Sequence, residues 1–168
     1  QSKKRRKEER RAELPMKILA AGLGISSVFQ NAAKRRISEI EKLGVKHINL
    51  PISRSGTNPF SELKTLINLF RIYYKINPDI VHHITLKPLV YGSIISKFLQ
   101  IKHVVNAVSG LGYTFTGGRK GIVQKLMIEL LKFGFDRKKL TVIFQNGDDE
   151  LFFKELKITS NQNKIVRI

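Results

Sequence analysis

Two adjacent histidines, a threonine and a lysine lie close together near the middle of the chain, within residues 78–88. These side chains offer hydrogen bonds and positive charge, which suit the recognition of a hydroxyl or phosphate group. In a strand, His82 and His83 would point to opposite faces, so only one can face a cleft. We predict that His82 or His83, with Thr85 and Lys87, contacts substrate. The alternative is a histidine packed at a strand end and hydrogen-bonded to backbone.

A glycine-rich loop over residues 109–121 is the second candidate. Its glycines allow backbone amides to approach an anion or a sugar closely. An aromatic ring in this loop can stack on a sugar face. The predicted substrate-binding residues of this loop are Ser109, Gly110, Gly112 and Tyr113. A surface loop without a ligand is the alternative.

Two further loops carry weaker signals. Residues 22–27 hold two glycines of a dinucleotide-binding fingerprint, but Ser27 replaces the third, and no acid follows the next strand. A strand-to-helix turn is the better interpretation there. In residues 145–150, we expect Asn146 or Asp148 to cap a helix rather than to take part in catalysis. No further His or Asp is spaced to complete a metal site with the two histidines, so we predict no metal.

The charge and composition of the chain limit which classes of partner and site are possible. The 168 residues include 31 Lys and Arg against 13 Asp and Glu, a formal net charge of +18, which favours nucleic acid, anionic lipid or phosphorylated substrates. The absence of cysteine excludes disulfides, zinc-thiolate sites and thiol catalysis. Apolar runs fall short of the roughly 20 residues of a membrane-spanning helix, so we expect any membrane contact to be peripheral. Residues 1–15 are predicted to be a flexible basic arm or an expression leader.

Strands and helices alternate along the chain from residue 16 onward. Strands are predicted at 17–21, 47–52, 79–83, 103–108, 141–145 and 164–168, and helices at 26–43, 59–76, 88–98, 122–135 and 148–156. This alternation predicts an α/β fold with a Rossmann-like, doubly wound and mostly parallel sheet, covered by helices on both faces. Ligands of such sheets bind at the carboxyl ends of the strands, where the candidate loops lie.

An ordered set of motifs carries a resemblance to a known family. The motifs are EIEKLG (39–44), LPISRSGTNP (50–59), PDIVHH (78–83), TLKP (85–88), YG (91–92), SGLGY (109–113), VIFQN (142–146) and DD (148–149). Together, over about residues 37–168, they resemble the N-terminal half of a bacterial family 4 glycosyltransferase of GT-B fold. The similarity is to the subgroup that transfers a sugar from a nucleotide donor to a polyprenyl-linked acceptor.

The resemblance implies a domain organisation and an activity. Residues 16–168 would be the N-terminal, acceptor-binding domain, and the donor-binding C-terminal domain would be absent. The intact two-domain protein would be a hexosyltransferase acting on a lipid-linked or saccharide acceptor in bacterial surface polysaccharide synthesis, without a cofactor. We expect this chain alone to be inactive. The expected location is cytoplasmic, peripheral on the inner face of the plasma membrane.

The segment over residues 121–139 combines many apolar residues with cationic edges, as in a helix at a lipid interface. We predict that Lys132, Arg137, Lys138 and Lys139 face an anionic membrane. A helix packed on the sheet is the alternative. Two other functions stay open: a non-catalytic acceptor-binding subunit of a split glycosyltransferase, and a basic nucleic-acid-binding module. No nucleic-acid-binding motif supports the latter, so nucleic acid is not the expected partner.

Overall fold

A computed structural model of the chain describes residues 18–21, 39, 41, 42, 47, 48, 50, 59–108 and 121–168. The strands are β1 (Ile18–Ala21), β2 (Ile80–Ile84), β3 (His103–Val108), β4 (Leu140–Phe144) and β5 (Lys164–Arg167). The helices are α1 (Pro59–Ile76), α2 (Leu86–Phe98), α3 (Ile122–Phe135) and α4 (Gly147–Glu155). The five strands form one parallel sheet in the order β1-β2-β3-β4-β5. The predicted Rossmann-like α/β fold is confirmed.

Proline and asparagine set the helix boundaries near the site. Pro59 is the first residue of α1, where its missing N–H is not needed. After Ile76, Asn77 adopts a left-handed φ of 47°, and its N–H donates to Tyr73 O at 2.8 Å, which ends the helix. Helix α2 begins at Leu86, two residues before the predicted start at Pro88. A proline fits anywhere in the first turn, because no N–H there has a partner within the helix.

The amino-terminal part of the prediction is described only in fragments. Glu39, Glu41 and Lys42 are helical, as predicted for residues 26–43. Residues 47, 48 and 50 are not in a strand, although a strand was predicted over 47–52. Residues 1–15 and the predicted loop at 22–27 lie outside the described residues.

Alternate strand residues build the core on one face of the sheet. The register aligns Val81 with Val104 and then Leu140, and all three side chains are buried. The next row is His83, Asn106 and Val142, also buried. The residues between these rows belong to the other face and are mostly half-buried. A polar pair therefore lies inside an otherwise apolar layer, and it requires hydrogen-bond partners there.

Helices α1 to α4 pack on this buried face. Tyr73 of α1 hydrogen-bonds to His83 of β2, and the Phe153 ring of α4 lies 5.3 Å from that of Phe144 in β4. Helices α2 and α3 approach closely, since a Cβ at Gly134 would lie 2.8 Å from Ser93 Cβ. The described helices thus cover one face of the sheet, and the helices predicted on the other face stay a prediction.

Candidate functional site at the carboxyl end of β2

The carboxyl end of β2 lies between the ends of two other strands. Ala21 at the end of β1 is in register with His83, and Ala107 near the end of β3 is in register with Ile84. The chain therefore leaves the sheet on both sides of Thr85, after β1 and after β3. The predicted site residues Ser109, Gly110, Gly112 and Tyr113 follow β3 but lie outside the described residues, so their roles stay predictions.

Thr85 joins β2 to α2 in a strained conformation. Its φ of 75° and ψ of 161° fall in a region that is essentially restricted to glycine and costs about 1–3 kcal/mol for other residues. Thr85 is the N-cap of α2, but its side chain does not cap the helix, and only its carbonyl accepts from Leu89 N at 3.0 Å. The Oγ1 atom is buried and has no hydrogen-bond partner within the described part of the chain. Strain and an unused hydroxyl therefore coincide at the edge where ligands of such sheets bind.

His82 supplies a second unused polar atom. As the alternation of strand side chains predicts, His82 and His83 lie on opposite faces of β2. His82 is half-buried, and its Nε2 has no hydrogen-bond partner among the described residues. Buried polar groups without partners are uncommon, and each one requires an explanation such as a ligand or a water. His82 and Thr85 each have a polar atom without a partner among the described residues, and their predicted substrate contacts stay predictions.

His83 belongs to a buried network instead. Its Nδ1 lies 2.6 Å from Asn106 Oδ1 and its Nε2 lies 2.9 Å from Tyr73 Oη, while Asn106 Nδ2 donates to Ser93 Oγ at 2.9 Å. Because Asn106 Oδ1 can only accept, His83 Nδ1 carries the proton, and Nε2 accepts from the Tyr73 hydroxyl. Burial lowers the pKa of His83 to about 4, so the ring is neutral at physiological pH.

This network joins β2 to three neighbouring elements, α1, α2 and β3. Gly92 of α2 packs directly on the imidazole, since a Cβ there would lie 2.2 Å from His83 Nε2. His83 is fully buried, and both ring nitrogens bond to protein side chains rather than to backbone. We assign it as a positioning residue for the strand end. Sequence reasoning did not identify Tyr73, Ser93 and Asn106. In the sequence, these three residues stand out only as polar positions within apolar segments.

Lys87 is held by a carboxylate from α1. Its Nζ lies 2.6 Å from Glu62 Oε1, and the Tyr91 hydroxyl donates to Glu62 Oε2, also at 2.6 Å. The side chains of the ion pair are less than one fifth exposed. Burial, together with the hydrogen bond to Glu62, raises the pKa of Tyr91. Lys87 therefore fastens the first turn of α2 to the first turn of α1, and its predicted contact with substrate stays a prediction.

The loop after β4 forms a helix cap, as predicted. Asn146 is the N-cap of α4, and its Oδ1 accepts from Asp149 N at 2.7 Å. Its Nδ2 donates to Asp149 Oδ2 at 3.0 Å. Acids in the first turn, including Asp148, complement the positive end of the helix dipole. The capping interpretation is confirmed for Asn146.

The predicted membrane-facing residues differ in their surroundings. Arg137 is half-buried, and its Nη2 donates to the carbonyl of Ile101. Burial lowers the pKa of Arg137. Lys132 pairs with Glu129 at 2.7 Å, whereas Lys138 and Lys139 are exposed. Arg137 therefore contributes to the fold, and reversing its charge would perturb folding as well as any lipid contact.

A cavity of about 350 Å³ lies at the opposite edge of the sheet, where the strands begin. Ile80, His103 and Lys164 are the first residues of their strands and all line it. This is not the edge where parallel sheets bind their ligands. In the described part of the chain, no three His, Asp or Glu side chains are grouped to hold a metal ion. None of the helices that the structure describes is long and apolar enough to span a membrane.

The sequence of this chain matches a known protein family. Residues 16–146 match the glycosyl transferase 4-like family, from just before β1 to the cap of α4. The chain belongs to the glycosyl transferase 4-like family. The matched region of this glycosyl transferase 4-like chain contains β2, Thr85 and the predicted site residues that follow β3 in sequence. No curated protein matched the chain. The resemblance noted from the motifs is confirmed at the level of the family, and the parallel α/β sheet agrees with it.

Proposed function

We propose that this chain is the acceptor-binding part of a glycosyltransferase that moves a sugar from a nucleotide-sugar donor to a lipid-linked or saccharide acceptor. The family match supports sugar transfer. The observation that carries the acceptor assignment is the end of β2, where His82 Nε2 and the strained Thr85 Oγ1 are buried without partners among the described residues. Sugar hydroxyls both donate and accept hydrogen bonds, so they can satisfy both atoms.

The mechanism at this edge is one of binding and orientation. Thr85 Oγ1 can donate to, or accept from, an acceptor hydroxyl, and His82 Nε2 can also hydrogen-bond to one. The first turn of α2 contains no acidic residue, so no carboxylate of its own offsets the positive end of the helix dipole at this edge. The His83 network and the Lys87–Glu62 pair fix the backbone on both sides of Thr85. Such fixed positioning lowers the entropic cost of bringing the acceptor to the donor sugar.

The wider setting belongs to the same proposal. The motifs favour surface polysaccharide synthesis in a bacterium, with the nucleotide sugar bound by a second domain outside these residues. The peripheral location on the inner face of the plasma membrane would bring the enzyme to a polyprenyl-linked acceptor. A donor-binding domain supplied in trans should then support sugar transfer with this chain.

Steady-state kinetics with a donor-binding domain present test the assignment. His82→Ala and Thr85→Val should each raise the acceptor KM several-fold and leave the donor KM unchanged. Thr141→Val is the matched control, because this half-buried threonine lies near the beginning of β4, at the other edge of the sheet. A rise in the donor KM, or unchanged kinetics in both variants, would contradict the acceptor assignment.

A further inference from the structure

The cavity at the amino edge of the sheet has a volume of about 350 Å³, which is within the range of small-molecule sites. Three basic side chains line it: His103 at the start of β3, Lys139 just before β4 and Lys164 at the start of β5. They are distant in sequence and meet because the three strands are parallel and begin at the same edge. The fold therefore gathers positive charge around a concave space.

The strand register places this cavity on the face of the sheet away from the four helices. His103 and Val105 lie two residues apart on β3, on the face opposite the buried Val104. Lys164 belongs to the same row of the register as Val105. Lys139 has a left-handed φ of 60°, and its carbonyl accepts from Val104 N at 3.2 Å, which holds it beside β3. The backbone that carries these cations is therefore fixed by strand pairing.

The acids near this edge of the sheet are paired with other lysines. Asp79 lies 3.4 Å from Lys102, and Asp136 binds a lysine of α2 at 3.0 Å. Lys139 and Lys164 are exposed, and neither forms an ion pair within the described part of the chain. Two like charges beside one cavity give it a positive potential, which favours an anion as its ligand.

The floor of the cavity is apolar. It consists of the half-buried Ile80 and Val105 and the buried Leu140. A bare inorganic ion would leave this apolar surface in contact with water, whereas an organic anion would cover it. The ligand that fits both the rim and the floor is therefore an anion with an apolar body.

We propose that the cavity binds a small soluble phosphate monoester, with the phosphate between Lys139 and Lys164 and the organic group on the apolar floor. A phosphate monoester carries about two negative charges at pH 7, so it matches two lysines better than a single carboxylate does. His103 and Gln162 also line the cavity and can donate hydrogen bonds to phosphate oxygens.

This site is separate from the acceptor site of the proposed function and does not depend on it. Ile80 lies at the start of β2 and Thr85 follows its end, so at about 3.3 Å per residue the two sites are roughly 16 Å apart. A small molecule in the cavity cannot touch an acceptor at Thr85. Any effect of the bound phosphate monoester on sugar transfer would have to pass through the strands.

NMR titration of the 168-residue chain with phenyl phosphate tests the site without a transfer assay. The amide signals of His103, Val105 and Lys164 should shift, whereas those of Thr85 and Leu86 should not. Phenyl phosphate should bind with a Kd of about 1 mM or tighter, and added salt should weaken the binding. Inorganic phosphate should bind at the same place about tenfold more weakly, because it leaves the apolar floor uncovered.

Substitutions separate the rim of the cavity from its floor. Lys139→Asn and Lys164→Gln should each raise the Kd for phenyl phosphate about fivefold, because each removes one charge beside the phosphate. Asn tolerates the left-handed φ at position 139. Val105→Thr should weaken the binding of phenyl phosphate but not of inorganic phosphate, because it changes only the floor. Lys125→Gln, at an exposed position near the start of α3, is the matched control and should leave both Kd values unchanged.

Three results would overturn the proposal. One is the absence of shifts at this edge of the sheet, including shifts confined to Thr85 and Leu86, which would place the phosphate at the start of α2. Another is a Lys125→Gln effect as large as that of Lys164→Gln, because net charge alone would then explain the binding. The third is equal affinity for inorganic phosphate and phenyl phosphate, because the apolar floor would then play no part.

Discussion

Acidification should destabilise this chain through the neutral His83. The folded-state pKa is about 4, below the ordinary value of 6.5, because the ring is fully buried. As the pH falls below about 6.5, the unfolded chain binds a proton at this histidine, while the folded chain does not until about pH 4. The stabilising contribution is therefore complete above the unfolded pKa and is lost as the pH falls from 6.5 to 4.

The magnitude follows from the two pKa values. Between about pH 7 and about pH 4.5, linkage at this one site lowers the free energy of unfolding by about 2 kcal/mol. Urea unfolding of the 168-residue chain at a series of pH values measures this loss. Carboxylates titrate in the same range, so the comparison between variants is decisive. In His83→Gln, the free energy of unfolding should depend less steeply on pH, because one proton fewer is taken up on unfolding across this window. In His103→Gln, at an exposed position, the pH dependence should match that of the wild type.

Removal of His83 also breaks its hydrogen bonds, so the variant should be less stable at every pH. If it does not fold, the imidazole signals of the wild-type chain give the same information by NMR. The His83 ring should stay neutral down to about pH 4 with its proton on Nδ1. A ring that titrates near its ordinary pKa, or an unchanged pH slope in His83→Gln, would refute this reasoning about the buried network.

Two further substitutions test the surroundings of the same strand end by chemical denaturation. Gly92→Ala should destabilise the chain by about 3 kcal/mol, because the new Cβ would lie 2.2 Å from the His83 ring, while Gly121→Ala, with no atom within 4 Å of its added Cβ, should have little effect. Equal effects of the two would refute the close packing. Glu62→Gln should lower the free energy of unfolding by about 2 kcal/mol, because it weakens two hydrogen bonds to a half-buried carboxylate. The control Glu129→Gln, at an exposed position, should be near neutral. Equal effects of these two substitutions would mean that the Glu62 contacts are not formed.

Local patterns predicted most of the elements that hold the site. The bounds of β3 and α3 agree with the prediction residue for residue, since an apolar strand and a long apolar helix are each flanked by polar residues. The alternation of strand side chains predicts that the two histidines lie on opposite faces, and the structure confirms it. The network of His83 was not predictable in this way, because Tyr73 and Asn106 come from other elements, 10 and 23 residues away in sequence.

Helix α1 shows where periodicity is insufficient. The helical spacing of Leu63, Leu66, Ile67, Phe70 and Tyr74 predicts this helix and is typical of a core-facing side. In the structure, four of these five are exposed, and the buried face contains Thr65, Leu69 and Tyr73. A helix with apolar residues on two faces gives the same spacing for both. Only the packing of its neighbours decides which face enters the core.

The strained conformation of Thr85 and the two buried contacts beside it are best understood together. A backbone cost of about 1–3 kcal/mol persists only where the surrounding structure fixes the chain on both sides. On the strand side, His83 ties β2 to α1, α2 and β3, and on the helix side Lys87 is tied to Glu62. These contacts hold Thr85 in place without using its hydroxyl, which keeps that group available at the carboxyl edge. A loosened anchor, as in Gly92→Ala, should therefore impair acceptor binding even though Gly92 does not itself line the proposed site.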